Sequence, residues 1–259
     1  MRKKVGLVLS GGAALGYAHI GVIKELEKHK IPIDIVVGTS MGGLVGAAYC
    51  SGASVEDMLD IANKFKTINF LDVNFNKSGI FSGNGMMTKI NKIIPDIDIE
   101  NMKIPFACVG CDINNEKEIV FDKGNLRNAV RTTISIPGLF VPVKDGDNNL
   151  VDGGVINNVP DNIAKKMGAD IIICVDVIKN YKLKGNLTNI IDTLFYSINL
   201  LTKEMQRKKK KYYDVLIAPD LSECKQMGFN TKTVETCVRI GEEETKKYIK
   251  EIKELLKSK

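Results

Sequence analysis

Three observations in this chain of 259 residues predict an α/β fold, a three-layer sandwich with a largely parallel central sheet. Asp170 to Val177 is a continuous apolar run, the mark of a strand buried on both faces. Lys4 to Ser10 and Asp34 to Thr39 are two more such runs, and each enters a glycine-bearing turn followed by a helical pattern. Strand-like and helical segments then alternate along the chain, the order expected where helices cover both faces of a parallel sheet.

Taken in order, the first strand ends at Ser10, and Gly11-Gly12-Ala13-Ala14-Leu15-Gly16 leads into a helix reaching about His29, with Leu15, His19, Val22, Ile23 and Leu26 on one face. The helix after Ser40 runs to about Gly52. Ser54-Val55-Glu56-Asp57 reads as a capping box opening a helix to about Lys66. Residues 67 to 85 are polar and glycine-rich and read as a long loop or flap, followed by a short helix from about Met86 to Ile94. Ile104 to Ile113 and Glu118 to Phe121 are strands around an Asn114-Asn115 turn. A helix from Leu126 ends at about Ser135, before Pro137. Leu139 to Val143 and Leu150-Val151 are strand-like around Asp145 to Asn148, and Asp161 to Met167 is a short helix. The chain closes with a helix from Thr188 to Lys211, a strand from Val215 to Ala218 and one long helix from Thr231 to about Leu256. There is no internal repeat and no low-complexity linker, so residues 1–259 read as one domain.

Composition narrows the function. The chain has no Trp and few aromatic residues, which argues against a stacking platform for single-stranded nucleic acid. No run of eighteen apolar residues occurs. The first residues faintly imitate a signal peptide, but Ser10-Gly11-Gly12 interrupts the apolar run and favours a strand and turn. Six cysteines lie sparsely, four of them in apolar runs, which suggests a reducing compartment and a cytoplasmic protein. Cys108 and Cys111 form a C-x-x-C, but inside a strand-like run and with no second pair to complete a zinc site.

The chemistry concentrates at Gly38-Thr39-Ser40-Met41-Gly42, a G-x-S-x-G between a buried strand and a helix. A serine there is held in a strained turn with its side chain projecting alone, and Gly38 and Gly42 leave room for neighbouring backbone. The following helix points its N-terminal amides toward the serine. The earlier turn, Gly11 to Gly16, has two readings. It can cradle a nucleotide phosphate, but the G-x-G-x-x-G spacing is not met. It can instead supply backbone amides to an oxyanion, which explains both turns together.

A serine nucleophile needs a base. The two histidines, His19 and His29, both lie on the first helix, where a triad histidine is out of place, and His19 reads as a packing residue. Asp152 is the better candidate. It ends a strand-like run, and Gly153 and Gly154 leave space beside it, although Asp-Gly-Gly is also an ordinary turn. Burial would raise its pKa toward a useful value.

These three motifs, in this order, resemble the patatin-like phospholipase family. So do Ile136-Pro137-Gly138-Leu139-Phe140-Val141-Pro142-Val143 and Asp214 to Asp220, so that the resemblance spans nearly the whole chain and is nearest the short bacterial members. It implies a patatin-like fold and a Ser-Asp dyad that cleaves acyl esters of lipids. Ser40 would be the nucleophile, Asp152 the base, and Gly11, Gly12 and Ala13 the oxyanion-hole residues. It implies no metal and no cofactor. One position departs from the pattern: Leu15 stands where the family usually has Arg or Lys, which removes a charge that would favour anionic phospholipid.

The expected partners are a lipid or small acyl ester and, through basic C-terminal segments, the surface of an anionic membrane at its inner face; no nucleic acid is expected. Lys203 to Lys211 carries six basic residues and one acidic residue. Two readings of other classes remain: a non-catalytic lipid-binding or regulatory module on the same fold, and a nucleotide-binding protein using Gly11 to Gly16.

Overall fold

The computed structural model describes residues 2–65, 72, 78–184 and 189–258. Its strands are β1 (Val5–Leu9), β2 (Ile35–Thr39), β3 (Gly79–Phe81), β4 (Phe106–Asp112), β5 (Lys117–Phe121), β6 (Gly138–Phe140), β7 (Val143–Asp145), β8 (Asn148–Asp152), β9 (Ile171–Val175) and β10 (Val215–Ile217). Its helices are α1 (Ala18–Lys28), α2 (Met41–Ser51), α3 (Val55–Lys64), α4 (Asn84–Ile90), α5 (Leu126–Thr133), α6 (Asp161–Lys166), α7 (Ile190–Lys208), α8 (Thr231–Lys246) and α9 (Ile249–Lys257).

The main sheet has the order β10-β9-β1-β2-β4-β8-β7, with β5 also paired to β4. The first five strands in that order are parallel, and β5, β7 and β8 add antiparallel pairs beyond β4. The alternating side chains of β1 show why three layers form. Val5, Leu7 and Leu9 join the core under α1, α2 and α8, while Val8 joins a second core with Ile163 and Ala164 of α6. Each strand therefore buries both faces and must be apolar throughout. All five residues of β9 are buried, as the apolar run requires.

The capping box before α3 is present: Ser54 Oγ accepts the Asp57 amide at 3.1 Å, and Asp57 accepts the Ser54 amide at 3.0 Å. Two expectations are corrected. The expected loop over 67 to 85 contains β3, which pairs in parallel with β6 through Gly79–Gly138 and Phe81–Phe140. A strand of three residues is too short to show a period. Within the same stretch, residues 66–71 and 73–77 lie outside the described residues, and so does most of the proposed flap; Thr188, the expected start of α7, does also. The long C-terminal helix is two helices, α8 and α9. The Lys247 and Tyr248 amides bond three residues back, to the Glu244 and Thr245 carbonyls at 3.2 and 3.0 Å, which breaks the regular ladder.

Among the described residues no helix is long and apolar enough to cross a membrane.

Candidate active site

The ends of β1, β2 and β8 converge on one cavity. Ser40 occupies the turn between β2 and α2 with φ 53° and ψ −125°, a conformation an L-residue adopts only when its surroundings impose it. Those surroundings are tight. A Cβ on Gly38 would lie 2.4 Å from the Gly42 carbonyl oxygen, and one on Gly42 would lie 2.2 Å from the Leu9 carbonyl oxygen. The Ser40 amide donates to Thr133 Oγ1 at 2.9 Å, and the Thr133 hydroxyl in turn donates to the Val109 carbonyl at 2.6 Å. The first helical hydrogen bond of α2 runs from the Leu44 amide to the Ser40 carbonyl at 3.0 Å, so the amide of Met41, at the head of that helix, has no intrahelical acceptor.

Asp152 ends β8, two strands away across β4. Its amide donates to the Ser135 carbonyl at 2.9 Å, and its Oδ1 accepts the Gly154 amide at 2.7 Å. The Ser40 side chain shares the cavity with this carboxyl group. Burial raises the Asp152 pKa to about 7, against the opposing pull of the neighbouring Ser40 hydroxyl and the Gly154 amide. Gly153 lets the chain turn beneath it, since a Cβ there would sit 2.4 Å from the Val109 carbonyl oxygen.

The turn after β1 forms the third wall. A 3-10 turn, Ala13–Tyr17, begins here, and Ala13 has φ 49°. The Gly11 amide donates to the Asn158 carbonyl at 3.2 Å, and Asn158 Nδ2 donates to the Gly11 carbonyl at 3.3 Å. The Ala14 amide donates to the Gln226 carbonyl at 3.0 Å. Gly12 and Ala13 lie between these anchors, and among the described residues their amides have no protein acceptor. Thus Ser40, Asp152, Gly12 and Ala13 share the cavity, while the amide of Gly11, which also lines it, is engaged by Asn158. Leu15 is fully buried in the core, so the turn keeps its shape around an apolar side chain at this position.

The histidines take other parts. His19 is fully buried, and its Nε2–H donates to the Ser10 carbonyl at 2.8 Å; burial lowers its pKa to about 4. His29 bonds Glu25. Cys108 and Cys111 are buried within β4, as the strand reading expects. Among the described residues no group of three or more His, Cys, Asp or Glu side chains is placed to hold a metal ion.

Thr133, Ser135, Asn158 and Gln226 were invisible as site residues in the sequence. They act through buried contacts made over long separations, and the trace in the sequence is the Asn157-Asn158 pair shortly after the Asp152 turn.

The cavity above Ser40 measures about 50 Å³ and is walled by Phe195, Asn199 and Thr202 of α7. A second cavity of about 40 Å³, also touching Ser40 and Ala13, is wholly apolar and is lined by Met41, Leu44, Phe65 and Ile90. These four residues also border a third cavity of about 60 Å³ that reaches Ala48 and Ala62. An apolar path therefore leads from Ser40 between α2, α3 and α4.

A model of the patatin-like phospholipase family matches residues 7–165. The chain is 35% identical over 201 residues to patatin-like phospholipase domain-containing protein 7 of Rattus norvegicus, covering 73% of this chain and 14% of that one. It is 37% identical over 181 residues to lysophospholipase NTE1 of Pyricularia oryzae, covering 68% and 12%. It is 34% identical over 182 residues to neuropathy target esterase sws of Drosophila melanogaster, covering 67% and 13%. The chain thus spans only a small part of each of these relatives. In structure it is similar to VipD from Legionella pneumophila, with a TM-score of 0.56 over 96% of this chain and 67% of that one at 12% identity, a likeness of fold. With a family match over more than half of its length, carrying the serine and aspartate turns described above, the chain belongs to the patatin-like phospholipase family.

Proposed function

We propose that this chain is a serine hydrolase that cleaves acyl esters of lipids with a Ser40–Asp152 dyad. The observation that carries the reading is that Ser40, on its strained turn, shares one cavity with a buried carboxyl group whose pKa is raised to about 7. A base of that pKa is half ionised near neutrality and strong enough to take a hydroxyl proton in the transition state, as a solvated aspartate is not. The names of the relatives, phospholipase and lysophospholipase, support a lipid ester as the substrate class.

In this reading Asp152 removes the Ser40 proton as Oγ attacks the ester carbonyl. The carbonyl oxygen becomes an oxyanion, and the unengaged Gly12 and Ala13 amides, with the Met41 amide at the head of α2, donate to it. Gly11 contributes by anchoring this turn through Asn158. Asp152 returns its proton to the leaving alcohol, leaving an acyl-serine. Asp152 then deprotonates a water that attacks the acyl-serine, and returning that proton to Ser40 releases the acid. The acyl chain lies in the apolar path past Met41 and Leu44, where its burial contributes about 0.8 kcal/mol per CH₂.

The test is labelling with a fluorophosphonate probe read by intact-protein mass spectrometry. The wild type is expected to gain one adduct on Ser40, and Ser40→Ala and Asp152→Asn to gain none. A folded wild type that stays unlabelled would instead favour a lipid-binding module on the same fold.

A further inference from the structure

Helix α7, 19 residues long, buries polar side chains and leaves large apolar ones exposed. Its buried face carries Asn199 and Thr202 beside Phe195, and Asn199 exchanges side-chain hydrogen bonds of 2.7 and 3.1 Å with Gln226. Its outward face carries Ile190, Leu194, Leu201 and Met205, spaced to fall in one row, and Leu200 on the far side of exposed Ser197 and Glu204. Leu200 and Leu201 are 62% and 66% exposed. Scattered exposed apolar residues are ordinary on a surface, but such a row on one helix is not.

The position of the row matters. The inward side of α7 walls the cavity above Ser40, and on its outer side Leu194 Cδ2 lies 3.9 Å from where a Gly138 side chain would be. Val155, three residues after Asp152, is exposed and lines the same cavity. The outward row therefore borders the mouth of the site.

Its charge is also particular. Of the six basic residues from Lys203 to Lys211, two turn inward: Lys203 donates to the Tyr181 carbonyl at 2.6 Å, and Lys209 pairs with Asp161 at 2.9 Å. The other four, Arg207, Lys208, Lys210 and Lys211, are exposed at the end of the row, with Glu204 the one acid in the stretch.

We propose that the outward face of α7 is a docking surface for an anionic lipid bilayer. The apolar row enters the boundary between headgroups and acyl chains, the four basic residues meet anionic headgroups, and the mouth of the Ser40 cavity is brought against the bilayer. The hydrolase reading is what makes a bilayer, which holds the substrate, the natural occupant.

The test uses Ser40→Ala protein, so that binding is measured without hydrolysis. Its co-sedimentation with sucrose-loaded vesicles of equimolar phosphatidylcholine and phosphatidylserine is compared with that on phosphatidylcholine alone. The expected result is binding to the anionic vesicles that weakens with salt and falls about tenfold or more in Leu200→Ser/Leu201→Ser/Met205→Ser. The same three changes with Ser40 intact are expected to leave hydrolysis of a water-soluble short-chain ester within about twofold, showing an undamaged site. Unchanged partitioning of the triple variant, or of Lys210→Glu/Lys211→Glu, would overturn the proposal. So would a Ser40→Ala dimer that the triple change converts to monomer with no effect on vesicle binding. Failure here would leave fluorophosphonate labelling of Ser40 untouched, so the two readings fail separately.

Discussion

Ser40 and Asp152 flank β4 and are braced by one segment of chain: Thr133 Oγ1 accepts the Ser40 amide at 2.9 Å, and the Ser135 carbonyl accepts the Asp152 amide at 2.9 Å. In register, Thr39 aligns with Val109 and Asp152 with Gly110, so the two side chains meet over a single intervening strand. The end of α5 thus sets the distance between a proposed nucleophile and its base.

Thr133→Val keeps the shape of the side chain but leaves the Ser40 amide without its acceptor. Losing a buried hydrogen bond of this kind costs about 1–3 kcal/mol. If the bond serves to position Ser40, kcat for a soluble ester should fall about tenfold or more with KM nearly unchanged. Thr133→Ser should recover most of the activity. Steady-state kinetics on the three proteins, beside their Tm values, checks this; a loss of Tm with kcat intact would reduce Thr133 to a packing role.

The raised Asp152 pKa predicts an acid limb. kcat/KM should fall tenfold per pH unit well below about 7 and level off above it, because only the carboxylate accepts the Ser40 proton. A pH–rate profile flat from 5 to 8 would argue against Asp152 as the base.

The same residue should cost stability. Its folded pKa of about 7 lies above the ordinary 3.8, so between these values the native protein holds a proton that the unfolded chain releases. Stability from this group is therefore full below pH 3.8 and is lost as pH rises through about 7. Asp152→Asn removes the buried charge. It should be inactive yet more stable than the wild type by about 2–4 kcal/mol at pH 8, with the gap closing toward pH 4. Urea denaturation at the two pH values measures it.

His19 works in the opposite sense. Burial lowers its pKa to about 4, so the unfolded chain takes up a proton between pH 6.5 and 4 that the native protein refuses. Its contribution to stability is present above pH 6.5 and is lost as pH falls through that window. His19→Gln, able to keep the bond to the Ser10 carbonyl, should lose less stability on acidification from pH 7 to 5 than the wild type does. Parallel thermal melts across that range decide it.

Ala62 lines the far end of the apolar path, about 60 Å³ of space beyond Leu44. Ala62→Leu should fill part of it at an overpacking cost of about 1–3 kcal/mol. The kcat/KM ratio of decanoyl to butyryl esters should drop several-fold while butyryl hydrolysis is retained. An unchanged ratio would show that the acyl chain runs elsewhere.

Much of this was legible in the chain because it is local. A strand buried on both faces must be apolar along its length, so β1, β2 and β9 announced the three layers. The Ser40 turn needs glycine at 38 and 42 because backbone approaches within 2.4 and 2.2 Å of where their side chains would be, and that need leaves a readable pattern. The capping box of α3 is likewise a contact within four residues. By contrast, β3 is too short to carry a period, and the break between α8 and α9 is a change to three-residue backbone hydrogen bonds at Lys247 and Tyr248, which no breaker residue announces.

By itself, then, the sequence determined the layered fold, the strained serine turn and the glycine-bearing aspartate turn, since each depends on neighbours along the chain. Only the tertiary structure decided how they meet. Hydrogen bonds made to Thr133 and Ser135 and by Asn158 join residues about 20 to 150 positions apart, and such long-range pairs leave no spacing to read. The raised pKa of Asp152 is likewise a property of its burial, which removes water from a carboxylate that the sequence shows only as Asp-Gly-Gly.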